Sequence, residues 1–264
     1  MKIAAAQISC VLGDVDANLH KIRDFSTRAR EGGADLVVFP EAAETGYAMP
    51  IIQGCANPWT EGAVPELRKM AKALSIAIIC GVSERDGASI YNSQIFIDAD
   101  GQVIGSYRKT HLFTAALVGE DTCFTPGNEL KSFPFAGLRL GLTICYDLRF
   151  PELYRALAIE KEANVFILSA AWPFPRLEHF RTLAAARAIE NQSYVIASNR
   201  VGTDDGITCC GSSVIIDPYG VILASASADR EELVEAEISD AAINSVRNKM
   251  AVFAQRRPEL YGKR

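Results

Sequence analysis

Long hydrophobic runs are missing from this chain. Its most apolar stretches, "SIAIICGV" and "NVFILSAAW", fall well short of the roughly 18 residues that a membrane-spanning helix requires. The opening "MKIAAAQISC" lacks a signal-peptide cleavage site and reads as a strand, so a cytoplasmic location is expected. A basic excess is missing too. Lys and Arg number 27 against 32 Asp and Glu, and the net charge of −5 is mixed along the chain, leaving no basic stripe to neutralise phosphates. The expected partner is a small molecule, with no nucleic acid and no membrane. The seven cysteines are odd in number and form no C-x-x-C pair, which disfavours a disulfide framework and a zinc site. No P-loop, G-x-G-x-x-G or H-E-x-x-H occurs, which removes the commonest nucleotide and zinc-protease readings.

What is present is a repeat. "SQIFIDADGQVIGS" (93–106) aligns with "SSVIIDPYGVILAS" (212–225), Asp98 matching Asp217 and Gly101 matching Gly220, each segment reading as a hairpin around a D-x-x-G turn. Upstream, "KIAAAQIS" faces "RLGLTICYD", "ADLVVFPE" faces "ANVFILSA", and "SIAIICGVSE" faces "SYVIASNRVG". Any two apolar strands look alike, so the common order and spacing carry the alignment.

Amphipathic helices are expected between the matched strands. One follows Asp14 or Asp16, presents Leu19, Ile22 and Phe25, and stops at Gly32-Gly33; Pro65 opens another, with Leu67, Met70 and Leu74. In the other half Pro151 opens a helix with Leu153 and Leu157, and residues 176–192 supply Leu177, Phe180, Leu183 and Ile189. "DLVVF" and "NVFIL" are apolar without alternation, as strands covered on both faces are. The reading is an α/β protein, a four-layer αββα sandwich with an internal pseudo-two-fold repeat, forming one domain over residues 1–264. Segment 240–264, with Ile243, Val246, Met250 and Phe253 at helical spacing, either seals the sandwich or packs on a partner subunit.

Catalytic groups gather where strands end, because rigid strands hold the loops that follow them. Glu41 follows "DLVVFP", Lys109 follows "VIGSYR", and Cys145 ends "LRLGLTI". Most free cysteines are small buried hydrophobes. Cys145, however, stands between a strand and a short turn into a helix opened by Pro151, resembling the elbow that exposes a nucleophile. A carboxylate at the mouth of a strand pair is partly desolvated, which raises its pKa toward that of a general base. Lys109, if held near Cys145, would stabilise a thiolate and a developing oxyanion. Of the three histidines, His20 and His179 fall on helices and His111 lies two residues past Lys109, which leaves a Cys-His dyad as a minority alternative.

"VVFPE", "YRKTHLF" and "ICYDLRFPEL" together resemble the segments in which the nitrilase superfamily of carbon-nitrogen hydrolases keeps its catalytic Glu, Lys and Cys. The likeness runs from "KIAAAQIS" to "RRPELY", and the family's αββα sandwich agrees with the repeat. The resemblance implies a second glutamate, Glu120 in "LVGEDTCFTPG", an oxyanion donor from the backbone N–H of Tyr146, and a homodimer or higher homo-oligomer. It also implies thioester chemistry on a small carboxamide, releasing ammonia, with no metal or organic cofactor.

"CYDLRFPEL" and the 172–195 segment look most similar to the small-amide branch, in particular the ω-amidases that deamidate 2-oxo dicarboxylic monoamides. Nitrilases, N-carbamoyl hydrolases, deaminated-glutathione amidases and aliphatic amidases share the triad, and it does not separate them. A carboxylate-bearing substrate would want a cation, for which Arg149 or Arg176 is the candidate, with Tyr47 and Trp172 as walls. Either arginine would otherwise be a structural ion-pair partner. A catalytically inactive metabolite-binding module of the same fold would lack one of the triad residues, and all are present.

Overall fold

Alternation of apolar strands with amphipathic helices sets the architecture. In the computed structural model, which describes residues 1–115 and 118–261, the chain begins with β1 (Lys2–Gln7), α1 (Val15–Glu31), β2 (Leu36–Val38), α2 (Met49–Cys55) and α3 (Ala63–Leu74). It continues through β3 (Ala77–Asp86), β4 (Ser89–Ile97), β5 (Val103–Arg108) and β6 (Ser132–Phe135). The second half runs β7 (Leu138–Ile144), α4 (Pro151–Glu160), β8 (Val165–Ala170), α5 (Leu177–Asn191), β9 (Tyr194–Asn199) and the hairpin β10 (Val201–Asp204) and β11 (Ile207–Cys210). It closes with β12 (Val214–Ile216), β13 (Ile222–Ser225), β14 (Glu232–Glu237), α6 (Asp240–Lys249) and α7 (Pro258–Tyr261).

Two six-stranded sheets result, ordered β14-β1-β2-β3-β4-β5 and β6-β7-β8-β9-β12-β13. The two orders match strand for strand, including direction: three central parallel strands, then antiparallel neighbours on both sides. The aligned turns match in detail as well. Asp98 Oδ1 accepts from the N–H groups of Asp100 and Gln102, as Asp217 Oδ1 accepts from those of Tyr219 and Val221. The repeat is interlocked, because each half gives its last strand to the other's sheet: β6 pairs with β7, and β14 returns to β1. The four-layer αββα sandwich read from the sequence is thus the fold.

Along β1, Ile3 and Ala5 face the second sheet, while Ala4 and Ala6 face Ile22 and Phe25 of α1 and Leu67 and Met70 of α3. Leu157 of α4 and Phe180 of α5 cover the second sheet's outer face. Each such buried Ile, Leu, Met or Phe side chain contributes roughly 1.5–3 kcal/mol. Asp14 caps α1, accepting from the Ala17 N–H at 3.0 Å. Helix α3 begins two residues before Pro65, and α2 was not foreseen. Ile189 is exposed at 54%, outside the core face expected for it.

α6 buries Ile243 and Val246 against its own sandwich, then stops at Lys249 although the spacing continues to Phe253. Gln192 Nε2 donates to the Met250 carbonyl at 2.8 Å, tying the residue that ends this helix back to the end of α5. Among the described residues, no helix is long and apolar enough to cross a membrane.

Close backbone packing fixes the end of β2. A Cβ on Gly81 of β3 would meet the Pro40 carbonyl oxygen at 2.4 Å and the Glu41 Cα at 2.6 Å. Gly81→Ala is therefore expected to lower stability by about 1–3 kcal/mol, read as a fall in the urea midpoint; an unchanged midpoint would show that the Pro40–Glu41 backbone yields freely.

Candidate active site

Glu41, Lys109 and Cys145 are each placed by a strand end. Cys145 opens a 3₁₀ turn (Cys145–Arg149) between β7 and α4, with φ of +43°. A non-glycine residue in that region costs about 1–3 kcal/mol and persists where surrounding structure enforces it. The enforcing contact is local: Asp147 Oδ2 accepts from the Ile144 N–H at 2.9 Å. Glu41 leaves β2 over Gly81. Lys109 leaves β5 with its N–H donated to the Asn92 carbonyl and its own carbonyl accepting from the Gly127 N–H, both at 2.8 Å. Glu120 begins a 3₁₀ turn after Gly119, with Oε2 held by the Phe113 N–H at 2.6 Å.

The side chains of Glu41, Lys109 and Glu120 are fully buried. Lys109 Nζ donates to Glu41 Oε1 at 2.8 Å and to Glu120 Oε1 at 2.7 Å. Asn92 Nδ2 bridges the same two oxygens at 2.7 and 3.2 Å, and the Tyr47 hydroxyl donates to Glu120 Oε1 at 2.5 Å. The other oxygen of Glu41 accepts from the Ala171 N–H at 2.8 Å. Burial works against the Lys109 ammonium, but Glu120 and Glu41 outweigh it, and the pKa rises. Burial likewise raises the Glu41 carboxyl although Lys109 draws it back. The Cys145 thiol lies within the field of all three. Burial and then Glu41 hold its pKa well above the ordinary value, with Lys109 pulling the other way.

Cys145 opens onto a cleft of about 380 Å³, partly continuous with solvent, walled by Tyr47, Trp172, Val118 and Ile207 and bearing Arg149 and Arg176. All four side chains expected to bind substrate therefore meet at Cys145. The Arg149 guanidinium lies 4.7 Å from the Trp172 ring centroid and that of Arg176 5.5 Å from Phe113. Neither pairs with a carboxylate among the described residues; the side-chain contact of Arg149 is with His179 Nδ1 at 3.3 Å. The Tyr146 N–H sits in the first turn of the 3₁₀ segment, where an amide has no intrahelical acceptor.

The histidines do not complete a dyad. His111 Nδ1 lies 3.0 Å from Asp147 Oδ1 and its ring stacks on Phe150, while His20 Nδ1 contacts the Asp16 carbonyl. Sequence reasoning missed Asn92, the Ala171 N–H and the Val118 and Ile207 walls. Asn92 left a signal, a buried amide in the apolar strand "SIYNSQIFI". The Ala171 contribution is a backbone group and leaves no side-chain signature.

Known proteins resemble this chain in sequence and in fold. The carbon-nitrogen hydrolase family profile matches residues 2–248. A 2-oxoglutaramate amidase of Bacillus subtilis (strain 168) is 37% identical over 260 residues, covering 98% of each chain. The omega-amidase YafV of Yersinia enterocolitica is 34% identical, covering 96% of this chain and 95% of its own. Among solved structures, a Glu-to-Gln mutant of the amidase from Nesterenkonia sp. AN1, showing the result of Michael addition of acrylamide at the active site cysteine, superposes with a TM-score of 0.88 at 27% identity, covering 99% of this chain and 98% of that one. The chain belongs to the carbon-nitrogen hydrolase family of the nitrilase superfamily and is an amidase-type hydrolase.

Proposed function

We propose that the protein hydrolyses a small carboxamide carrying a distal carboxylate, of the 2-oxo dicarboxylic monoamide type, through a thioester on Cys145. The observation that carries the substrate class is the pair of arginines, Arg149 and Arg176, facing the cleft without a carboxylate partner among the described residues. Partial burial draws the Arg149 guanidinium below its ordinary value, a penalty that a bound anion relieves. The names of the 2-oxoglutaramate amidase and omega-amidase relatives point to the same class.

The mechanism follows from the charges. Cys145 rests as a thiol, so attack on the amide carbonyl and transfer of its proton to Glu41 belong to one step. The tetrahedral oxyanion is held by Lys109 and the Tyr146 N–H, donors of a kind whose individual loss costs about 10²–10³ in rate. Glu41 then protonates the departing nitrogen, the C–N bond breaks, and ammonia leaves a thioester. Water, giving its proton to Glu41, attacks the thioester, and the proton returns to the cysteine as the acid departs. Glu120 keeps Lys109 in place throughout. Net, one amide and one water become one carboxylic acid and one ammonia, with no redox change.

We also propose that the chain works as a homodimer, which would cover some of the large apolar side chains it exposes, Ile189, Ile222, Met250 and Tyr261 among them. Light scattering is expected to give twice the mass of one chain; a monomer at micromolar concentration would contradict this.

Three kinetic tests address the chemistry and the substrate class. Because the Glu41 pKa is raised, the acid limb of kcat/KM is expected above the ordinary carboxylate value of 4.5, with activity lost as pH falls through it. Glu41→Gln should cost about 10²–10⁴-fold in kcat, measured as ammonia release against Cys145→Ala as blank; a variant keeping most of its activity would remove Glu41 from the base role. Arg176→Ala should reduce kcat/KM for 2-oxoglutaramate by about 10–100-fold, the value of one charge-assisted contact. Neutral short amides should change little. Equal losses on both would defeat the carboxylate assignment.

A further inference from the structure

The cleft and the buried charge cluster leave one ionisable side chain near Cys145 unexplained. Asp147, fully buried, does not line the cleft, yet its carboxylate collects contacts from two segments that are distant in sequence. Oδ2 accepts from the Ile144 N–H at 2.9 Å and from the Tyr107 hydroxyl at 2.8 Å. Oδ1 faces the His111 N–H at 3.2 Å, His111 Nδ1 at 3.0 Å and Thr110 Oγ1 at 3.3 Å. Ile144 immediately precedes Cys145 in one sheet, whereas Tyr107, Thr110 and His111 bracket Lys109 at the end of β5 in the other. The Tyr107 hydroxyl is also the acceptor for the Thr110 N–H at 3.2 Å, and the His111 ring is stacked on Phe150 at 3.8 Å between centroids. The Lys109 turn is thereby held on both sides.

We propose that Asp147 is a positioning residue: a single buried carboxylate that clamps the Cys145 elbow to the Lys109 turn and so sets where the sulfur stands relative to the Glu41–Lys109 pair. This rests on the assignment of Cys145 as nucleophile. A carboxylate suits the task because both oxygens only accept, and the groups around it are backbone N–H groups, hydroxyls and an imidazole. An asparagine keeps the shape but turns an NH₂ toward one of the two sets of donors. Since a misplacement of about 1 Å is able to cost about 10²-fold, the loosened clamp should appear in the chemical step rather than in substrate binding.

The test uses the full-length enzyme with Asp147→Asn and Tyr107→Phe, comparing kcat and KM for the best amide substrate, the rate of Cys145 alkylation by iodoacetamide followed by peptide mass, and the melting temperature. For Asp147→Asn we expect kcat and the alkylation rate to fall together by about 10–100-fold, with KM within about threefold, in a protein that still melts cooperatively. A merely structural role would lower the melting temperature and leave kcat and alkylation at the wild-type rates, and that result overturns the proposal. If Asp147→Asn does not fold, Tyr107→Phe decides: a parallel fall in kcat and alkylation supports the clamp, and wild-type values for both refute it. Ammonia release by Cys145→Ala would overturn the nucleophile assignment instead, and the clamp would then be judged on alkylation alone.

Discussion

A single buried ammonium shared by two buried carboxylates organises everything around it. Lys109 has no other side-chain oxygen partner among the described residues than Glu41 and Glu120, and the three are closed off from water. Charges so placed are tolerated only while paired and hydrogen-bonded, which is why Asn92, Tyr47 and the N–H groups of Ala171 and Phe113 converge on the same two carboxylates. Two carboxylates against one ammonium leave a formal charge of −1 beside the sulfur. That excess opposes a thiolate and favours a proton acceptor. The site therefore differs in kind from a cysteine–imidazolium pair, in which a cation beside the sulfur strips it before substrate arrives. In the mechanism proposed above the proton has Glu41 to go to when attack begins, and the oxyanion forms next to a cation already in position.

The fold explains how residues so far apart in sequence meet. Glu41 and Lys109 leave strands of the first sheet and Cys145 a strand of the second, so the site exists only where the two faces pack. Buried polar rungs cross that interface: Ser169 Oγ donates to the Phe39 carbonyl at 2.6 Å, Gln94 Nε2 to Ser169 Oγ at 2.7 Å, and Ser198 Oγ to the Ala6 carbonyl at 2.7 Å. Apolar packing alone tolerates sliding, whereas such rungs fix register. The exchanged edge strands β6 and β14 add a second lock, since neither sheet is complete without the other half of the chain.

Much of this was legible in the sequence because it obeys local rules. The D-x-x-G hairpins follow from turn chemistry, α1 from its Asp14 cap and Gly32 stop, and the αββα layering from strands apolar on both faces. Glu41, Lys109 and Cys145 were found because strand ends present side chains. What escaped was whatever depends on tertiary approach. The exchange of β6 and β14 is decided by which sheet edge each strand meets, and β14, with Glu232, Glu235 and Glu237, reads like any charged edge strand. The contact of Gln192 with the Met250 carbonyl, at the end of α6, joins residues far apart in sequence. Contacts made by backbone, such as the Ala171 N–H on Glu41, have no residue type to announce them.

The protonation state of Cys145 at rest tests this account most directly. Ultraviolet difference titration of the enzyme against Cys145→Ala, followed at the thiolate absorption band, isolates this one sulfur from the other six cysteines. With the thiol pushed well above its ordinary value of 9.0, no Cys145 thiolate signal should develop up to that pH. A thiolate titrating near or below neutrality would contradict the account, because the buried cluster would then be acting as a net cation toward the sulfur.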